Sequence, residues 1–267
     1  MNQDISICVL TENEMGWTEP FELDKVQILD NYYLSAQKSD IAFLKKMDTA
    51  RLLAGFRTTA GIDTKGVRPY GGWEDSLLGG HCVGHYLTAL AQAVKVTGDK
   101  ELKEKSQTLI AGLEECQKKL GTGFLFGAKV EDKEDVEKQF DILEGKKKGE
   151  TWVPWYNMHK VLAGLVDTYK YTGNETALLV AEKLGDWIYE RVSKWDLKTN
   201  QKVLETEYGG MNDCLYELYS YSHNKHHLEA AQKFDEKALF LMAAKGEKNC
   251  LDGKLSLIHI SEPTRRS

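Results

Sequence analysis

Three segments combine aromatic rings with polar side chains suited to binding a polyhydroxylated ligand. The first runs from Gly71 to Tyr86, the second from Trp152 to Lys160 and the third from Glu205 to Asn212. A sugar packs its C–H face on an aromatic ring, and its hydroxyls need directional donors and acceptors. The aromatic rings in these segments include Trp152 and Tyr156. The candidate ligand contacts are Trp73, Glu74, His81, His85, Trp155, His159, Glu207 and Asn212.

Other chemistries are possible for some of these residues. His81 and His85 are four residues apart and share one helix face, a spacing that also suits a metal. The residues between them lack the glutamate of the HExxH motif, so we favour hydroxyl recognition and expect no metal ligand here. Paired carboxylates would suit glycosidic-bond chemistry, with Glu74, Asp75, Glu205 and Glu207 as candidates. The sequence does not select a pair among them, and no catalytic residue is assigned.

Each of these segments is followed by an apolar helical stretch and then a polar turn. The turns at Gly98, Gly173 and Asn224 begin a second set of helices, expected over 100–118, 175–192 and 225–242. Stacked hairpins of one polarity would bring the aromatic segments to one rim and the turns to the other. The spacing therefore predicts an all-α fold, an incomplete α/α toroid that is part of a six-hairpin barrel.

Composition limits the class of protein. The chain has 267 residues, 42% of them hydrophobic and 28% charged, with a net charge of −6. These values are typical of one globular domain and argue against a nucleic-acid partner. The chain shows no secretory leader or membrane-length apolar run, so we expect a cytoplasmic protein without a membrane partner.

Further expectations concern cysteines, charges and histidines. Five dispersed cysteines (Cys8, Cys82, Cys116, Cys214 and Cys250) predict reduced, mostly buried thiols. The charged stretch 129–148 predicts a solvated insertion loop. His223, His226 and His227 lie at a turn and are expected at the surface.

Several motifs, in order, resemble the β-L-arabinofuranosidase family, glycoside hydrolase family 127. They are Arg51–Arg57, Tyr70–Glu74, Gly80–Leu90, Trp152–Lys160 and Glu207–Asn212. The resemblance implies a six-hairpin toroid that removes L-arabinofuranose from plant glycans with retention of configuration. It also implies a cysteine nucleophile in a zinc site of three cysteines and a glutamate, with a separate glutamate as acid/base. None of the five cysteines matches those motifs, so zinc is expected only in a full-length parent.

We therefore interpret residues 1–254 as the N-terminal part of such a catalytic domain, carrying sugar contacts without the catalytic site. Residues 255–267 resemble a translated sequencing-library adapter and are expected to be foreign to the fold. One alternative is another α/α-toroid carbohydrate enzyme, such as an unsaturated-uronyl hydrolase or a sugar epimerase. A second is a non-catalytic helical-repeat module that binds a partner.

Overall fold

The computed structural model describes residues 20–130 and 132–248, and the regular elements in these ranges are all helical. The all-α prediction is confirmed. The expected foreign tail, Cys8 and Cys250 lie outside the described residues. The α-helices are α1 (Asn31–Lys46), α2 (Thr49–Thr59), α3 (His81–Thr97), α4 (Lys100–Leu120), α5 (Lys138–Leu143), α6 (Pro154–Thr172), α7 (Glu175–Val192), α8 (Leu197–Thr206), α9 (Met211–Ser222), α10 (Lys225–Lys233) and α11 (Lys237–Ala244). No described helix is long and apolar enough to cross a bilayer.

Short polar side chains set the start of most outer helices. Asp99 accepts from the backbone N–H of Leu102 at the start of α4, and Asn174 accepts from Ala177 at the start of α7. Such caps satisfy backbone donors that the helix leaves without partners. The turns therefore fall at the predicted positions and close the hairpins α3–α4, α6–α7 and α9–α10.

The inner helices α3, α6 and α9 run parallel. Further from their N-terminal ends, Thr88 of α3 donates to Asp167 of α6 at 2.6 Å, and Lys170 of α6 pairs with Glu217 of α9 at 2.6 Å. At their N-terminal ends, the rings of His81 and Tyr156 lie 6.0 Å apart. The aromatic segments thus share one end of the array, as predicted, and the hairpins form an arc of an α/α toroid.

Glycine allows α3 and α6 to touch through their backbones. A Cβ atom placed on Gly84 would lie 1.9 Å from the carbonyl oxygen of Lys160, and one on Gly164 would lie 2.5 Å from the carbonyl oxygen of Gly84. No side chain fits at either position without separating the helices. This close approach sets the position of His81 and His85 relative to α6.

An aromatic core lies beneath the second segment. Trp155 packs on Phe140 at a ring-centroid distance of 4.8 Å, on Phe234 at 5.0 Å and on Trp195 at 5.5 Å. Phe140 belongs to α5, inside the stretch expected to be a solvated loop, and it is fully buried. The core therefore extends into the insertion.

The solvated-loop prediction for residues 129–148 is wrong in its second half. Arg191 of α7 binds Glu137 at 2.9 Å, Asp141 at 2.5 Å and Glu144 at 2.6 Å. One guanidinium thus fixes three acidic side chains of the insertion against the body of the domain.

Two other expectations also need correction. The helix expected over 225–242 is split, because Phe234 is buried and Asp235 accepts from Asn212 and from the hydroxyl of Tyr216. His227, expected at the surface, is fully buried. A Cβ on Gly185 would lie 2.7 Å from the His227 ring, so the missing side chain at Gly185 makes room for it.

Candidate functional site

The first aromatic segment is organised around a buried carboxylate. Glu74 lies in a 3-10 helix, Gly72–Asp75, and accepts from the backbone N–H groups of Gly80 at 3.0 Å and Cys82 at 3.2 Å. Its Oε1 also lies 2.9 Å from Nδ1 of His81, and that nitrogen is 2.7 Å from the carbonyl oxygen of Leu78. Glu74 therefore holds the start of α3 and orients the His81 ring.

Charge stabilises this pair. Burial acts to raise the pKa of Glu74, but hydrogen bonds from His81, Gly80 and Cys82 outweigh it and lower the pKa. Hydrogen bonds with Cys82 and Glu74 raise the pKa of His81 to about 10. At neutral pH the pair is thus a carboxylate and an imidazolium, and Glu74 has no proton to donate.

The second segment places adjacent side chains in different surroundings. Trp155 is 1% exposed in the aromatic core, while the neighbouring Tyr156 is 37% exposed and faces His81. His159 lies one helical turn on, its ring 6.0 Å from that of Tyr156. The side-chain amide of Asn157 donates to the carbonyl oxygen of Leu77 at 3.0 Å and so ties this segment to the first.

The third segment closes the start of α6. The Glu207 carboxyl accepts from the backbone N–H groups of Trp155 at 3.3 Å and Tyr156 at 2.7 Å. Burial nevertheless raises the pKa of Glu207 to about 8, against the lowering effect of these bonds. Gly210 lies against the ring of His159. Asn212 instead donates to Asp235 at 3.1 Å.

A continuous row of rings results, which we call the aromatic rim: Trp73, His81, His85, Tyr156 and His159. Trp73 is 66% exposed, and its ring lies 6.5 Å from that of His81. The rings of His81 and His85 are 6.2 Å apart. A cavity of about 320 Å³ opens beside Tyr156 and Glu207 and is also lined by Tyr208 and Met211.

The histidines of the rim differ in charge. Burial, with repulsion from Lys160 and His85, lowers the pKa of His159 to about 3. Burial lowers the pKa of His85, and repulsion from the charges of Lys160 and His81 lowers it further. Neutral imidazoles offer one donor and one acceptor each, which suits vicinal hydroxyl groups.

The structure brings together six of the predicted contacts: Trp73, Glu74, His81, His85, His159 and Glu207. It places Trp155 in the core, and the side-chain amide of Asn212 donates to Asp235. The candidate contacts left out Tyr156, whose ring lies on the rim. The helical spacing of Tyr156 to His159, three residues, is the signal that points to Tyr156.

The described cysteines do not form the zinc site that the family resemblance implies. Cys116 is buried in α4 and Cys214 in α9, and burial raises the pKa of both thiols. Within residues 20–130 and 132–248, the one cluster with metal-ligand spacing is Glu74, His81 and Cys82, with a single thiol. Its carboxylate and the Nδ1 atom of His81 already have protein partners, so these residues do not fit a three-cysteine site.

The fold and the rim together define a class: an α/α-toroid domain with one end lined by aromatic and imidazole rings. The family model of the GH127 β-L-arabinofuranosidase catalytic domain matches residues 25–252. The chain belongs to this family.

Solved structures support the fold. The chain is similar to Ara127N-Se, a GH127 β-L-arabinofuranosidase from Geobacillus stearothermophilus T6, with a TM-score of 0.56 and 16% identity over 90% of this chain and 36% of that one. It is also similar to the GH127 β-arabinofuranosidase BT3674, with a TM-score of 0.55 and 16% identity over 83% of this chain and 34% of that one. The chain thus spans about a third of each of these structures. No curated protein matches it.

Proposed function

We propose that this chain forms the sugar-holding part of a retaining glycoside hydrolase domain, and that its rim binds a β-L-arabinofuranosyl unit of a plant-derived glycan. Family membership supports the reaction class. The observation that carries the proposal is the convergence of Trp73, His81 and Tyr156 from two different hairpins, with ring centroids 6.0–6.5 Å apart.

Each rim residue has a role in this proposal. The exposed faces of Trp73 and Tyr156 pack on the C–H face of the sugar. His85 and His159 exchange hydrogen bonds with its hydroxyls as neutral imidazoles. Glu74 acts indirectly by orienting His81, because its carboxylate is already bonded to His81 and to two backbone N–H groups.

The proposal assigns no bond cleavage and no zinc to this chain. Of the carboxyl groups beside the rim, Glu74 is held as an anion by His81 and Glu207 caps α6. The proposal therefore assigns neither of them as the acid/base of a glycosidase. The described thiols do not assemble the metal-bound nucleophile that the family uses.

The test measures sugar binding by the purified 267-residue chain in an NMR titration with methyl β-L-arabinofuranoside. Trp73→Ala should weaken binding about fivefold, because an aromatic contact contributes about 1 kcal/mol. Leu179→Ala removes a side chain that is 51% exposed on the outer helix α7 and should leave binding unchanged.

Hydrolysis is measured in parallel with 4-nitrophenyl β-L-arabinofuranoside. We expect no release of nitrophenol above the rate in buffer. Turnover by this chain would overturn the assignment of no catalytic group, and equal binding by Trp73→Ala and the unaltered chain would overturn the role of the rim.

A further inference from the structure

Lys160 is a cation on the rim without a carboxylate partner. It follows His159 on α6, it is half-buried, and its Nζ lies 4.9 Å from the ring centroid of Tyr156. Among the described residues no Asp or Glu oxygen is within 4.0 Å of this nitrogen, whereas Lys170 on the same helix binds Glu217 at 2.6 Å. Burial lowers the pKa of Lys160, and the only opposing effect is that of the Cys214 thiol.

The surroundings of Lys160 do not neutralise it. The pKa values of His85 and His159 are both lowered, and the charge of Lys160 contributes to lowering each of them. Glu207 has a raised pKa, and Glu74 is already paired with His81. A half-buried cation with neutral donors around it is a favourable place for an anionic group of a ligand.

We propose that Lys160 binds the carboxylate of a uronic acid residue that neighbours the arabinofuranosyl unit in the glycan. This inference rests on the proposed function and specifies the class of sugar in the glycan.

The number of donors favours a monoanion. The N-terminal amides of α3 and α6 would be the strongest anion-binding groups at this end, but Glu74 and Glu207 already accept from them. One ammonium group remains, and it matches the single charge of a carboxylate better than a phosphate dianion.

The experiment compares methyl α-D-galacturonide with methyl α-D-galactoside. The two sugars differ only at C6, where the first carries a carboxylate and the second a hydroxymethyl group. NMR titration of the full chain at low salt should show at least tenfold tighter binding of the acidic sugar. Lys160→Met should abolish that preference and leave the affinity for the neutral sugar within twofold. Lys160→Arg should retain the preference, and Lys170→Met, the matched control on α6, should not alter it.

The outcomes separate this inference from the proposed function. Equal binding of the two sugars by the unaltered chain, with methyl β-L-arabinofuranoside still bound, would overturn the role of Lys160 alone. A preference that survives Lys160→Met would do the same. Sodium acetate binding as tightly as the galacturonide would show an anion site that does not recognise sugar, and would also contradict the proposal.

Discussion

Replacing Gly84 by alanine tests whether the backbone contact between α3 and α6 positions the rim. The new Cβ would lie 1.9 Å from the carbonyl oxygen of Lys160 and 2.1 Å from its carbon. Ordinary contact needs about 3.4 Å, so the helices must separate by about 1.5 Å. Overpacking of this kind costs about 3 kcal/mol, since the obstacle is backbone and not a flexible side chain.

The assay is urea denaturation combined with the sugar titration. Gly98→Ala is the matched control: Gly98 has a φ of 67°, and its Cβ would meet nothing within 4 Å. It should cost about 1 kcal/mol through backbone strain alone. Gly84→Ala should lose more stability and also bind sugar more weakly, because His81 and His85 move away from Tyr156. Equal losses for the two variants, with sugar binding intact, would refute the reasoning.

Two further predictions concern buried charge. Arg191→Met leaves Glu137, Asp141 and Glu144 without their shared cation and should lower the free energy of unfolding at pH 7 by about 3–5 kcal/mol. The control Lys118→Met breaks an exposed pair with Glu114 and should lower it by less than about 0.5 kcal/mol. Equal losses for the two variants would contradict the structural role of Arg191. The pKa of Glu207 is raised from 4.5 to about 8, so the stability linked to it is full below pH 4.5 and lost as pH rises through 8. The free energy of unfolding, measured at pH 5 and at pH 8.5, should therefore fall more for the unaltered chain than for Glu207→Gln. The same difference between the two proteins at both pH values would contradict the burial of this carboxyl group.

Local patterns in the sequence predicted the hairpins and the shared rim. Helical periodicity and turn residues act over short distances, and Asp99 and Asn174 cap the helices where the pattern places them. Parallel inner helices then follow from repetition of one hairpin.

These local patterns do not determine the packing of residues that are distant in the sequence. Trp155 and Tyr156 are neighbours on one helix and point about 100° apart, so only one can face the rim, and spacing alone does not say which. The pairing of Arg191 with α5 joins residues about 50 positions apart. The burial of His227 depends on a missing side chain at Gly185, on another helix.

The most direct test of the account is a crystal structure of the chain soaked with methyl β-L-arabinofuranoside. We expect the sugar between Trp73 and Tyr156, within hydrogen-bond distance of His85 and His159. Sugar bound only elsewhere, for example in the groove between α8 and α10 lined by Asn200 and Gln232, would contradict the assignment of the aromatic rim as the sugar-binding site.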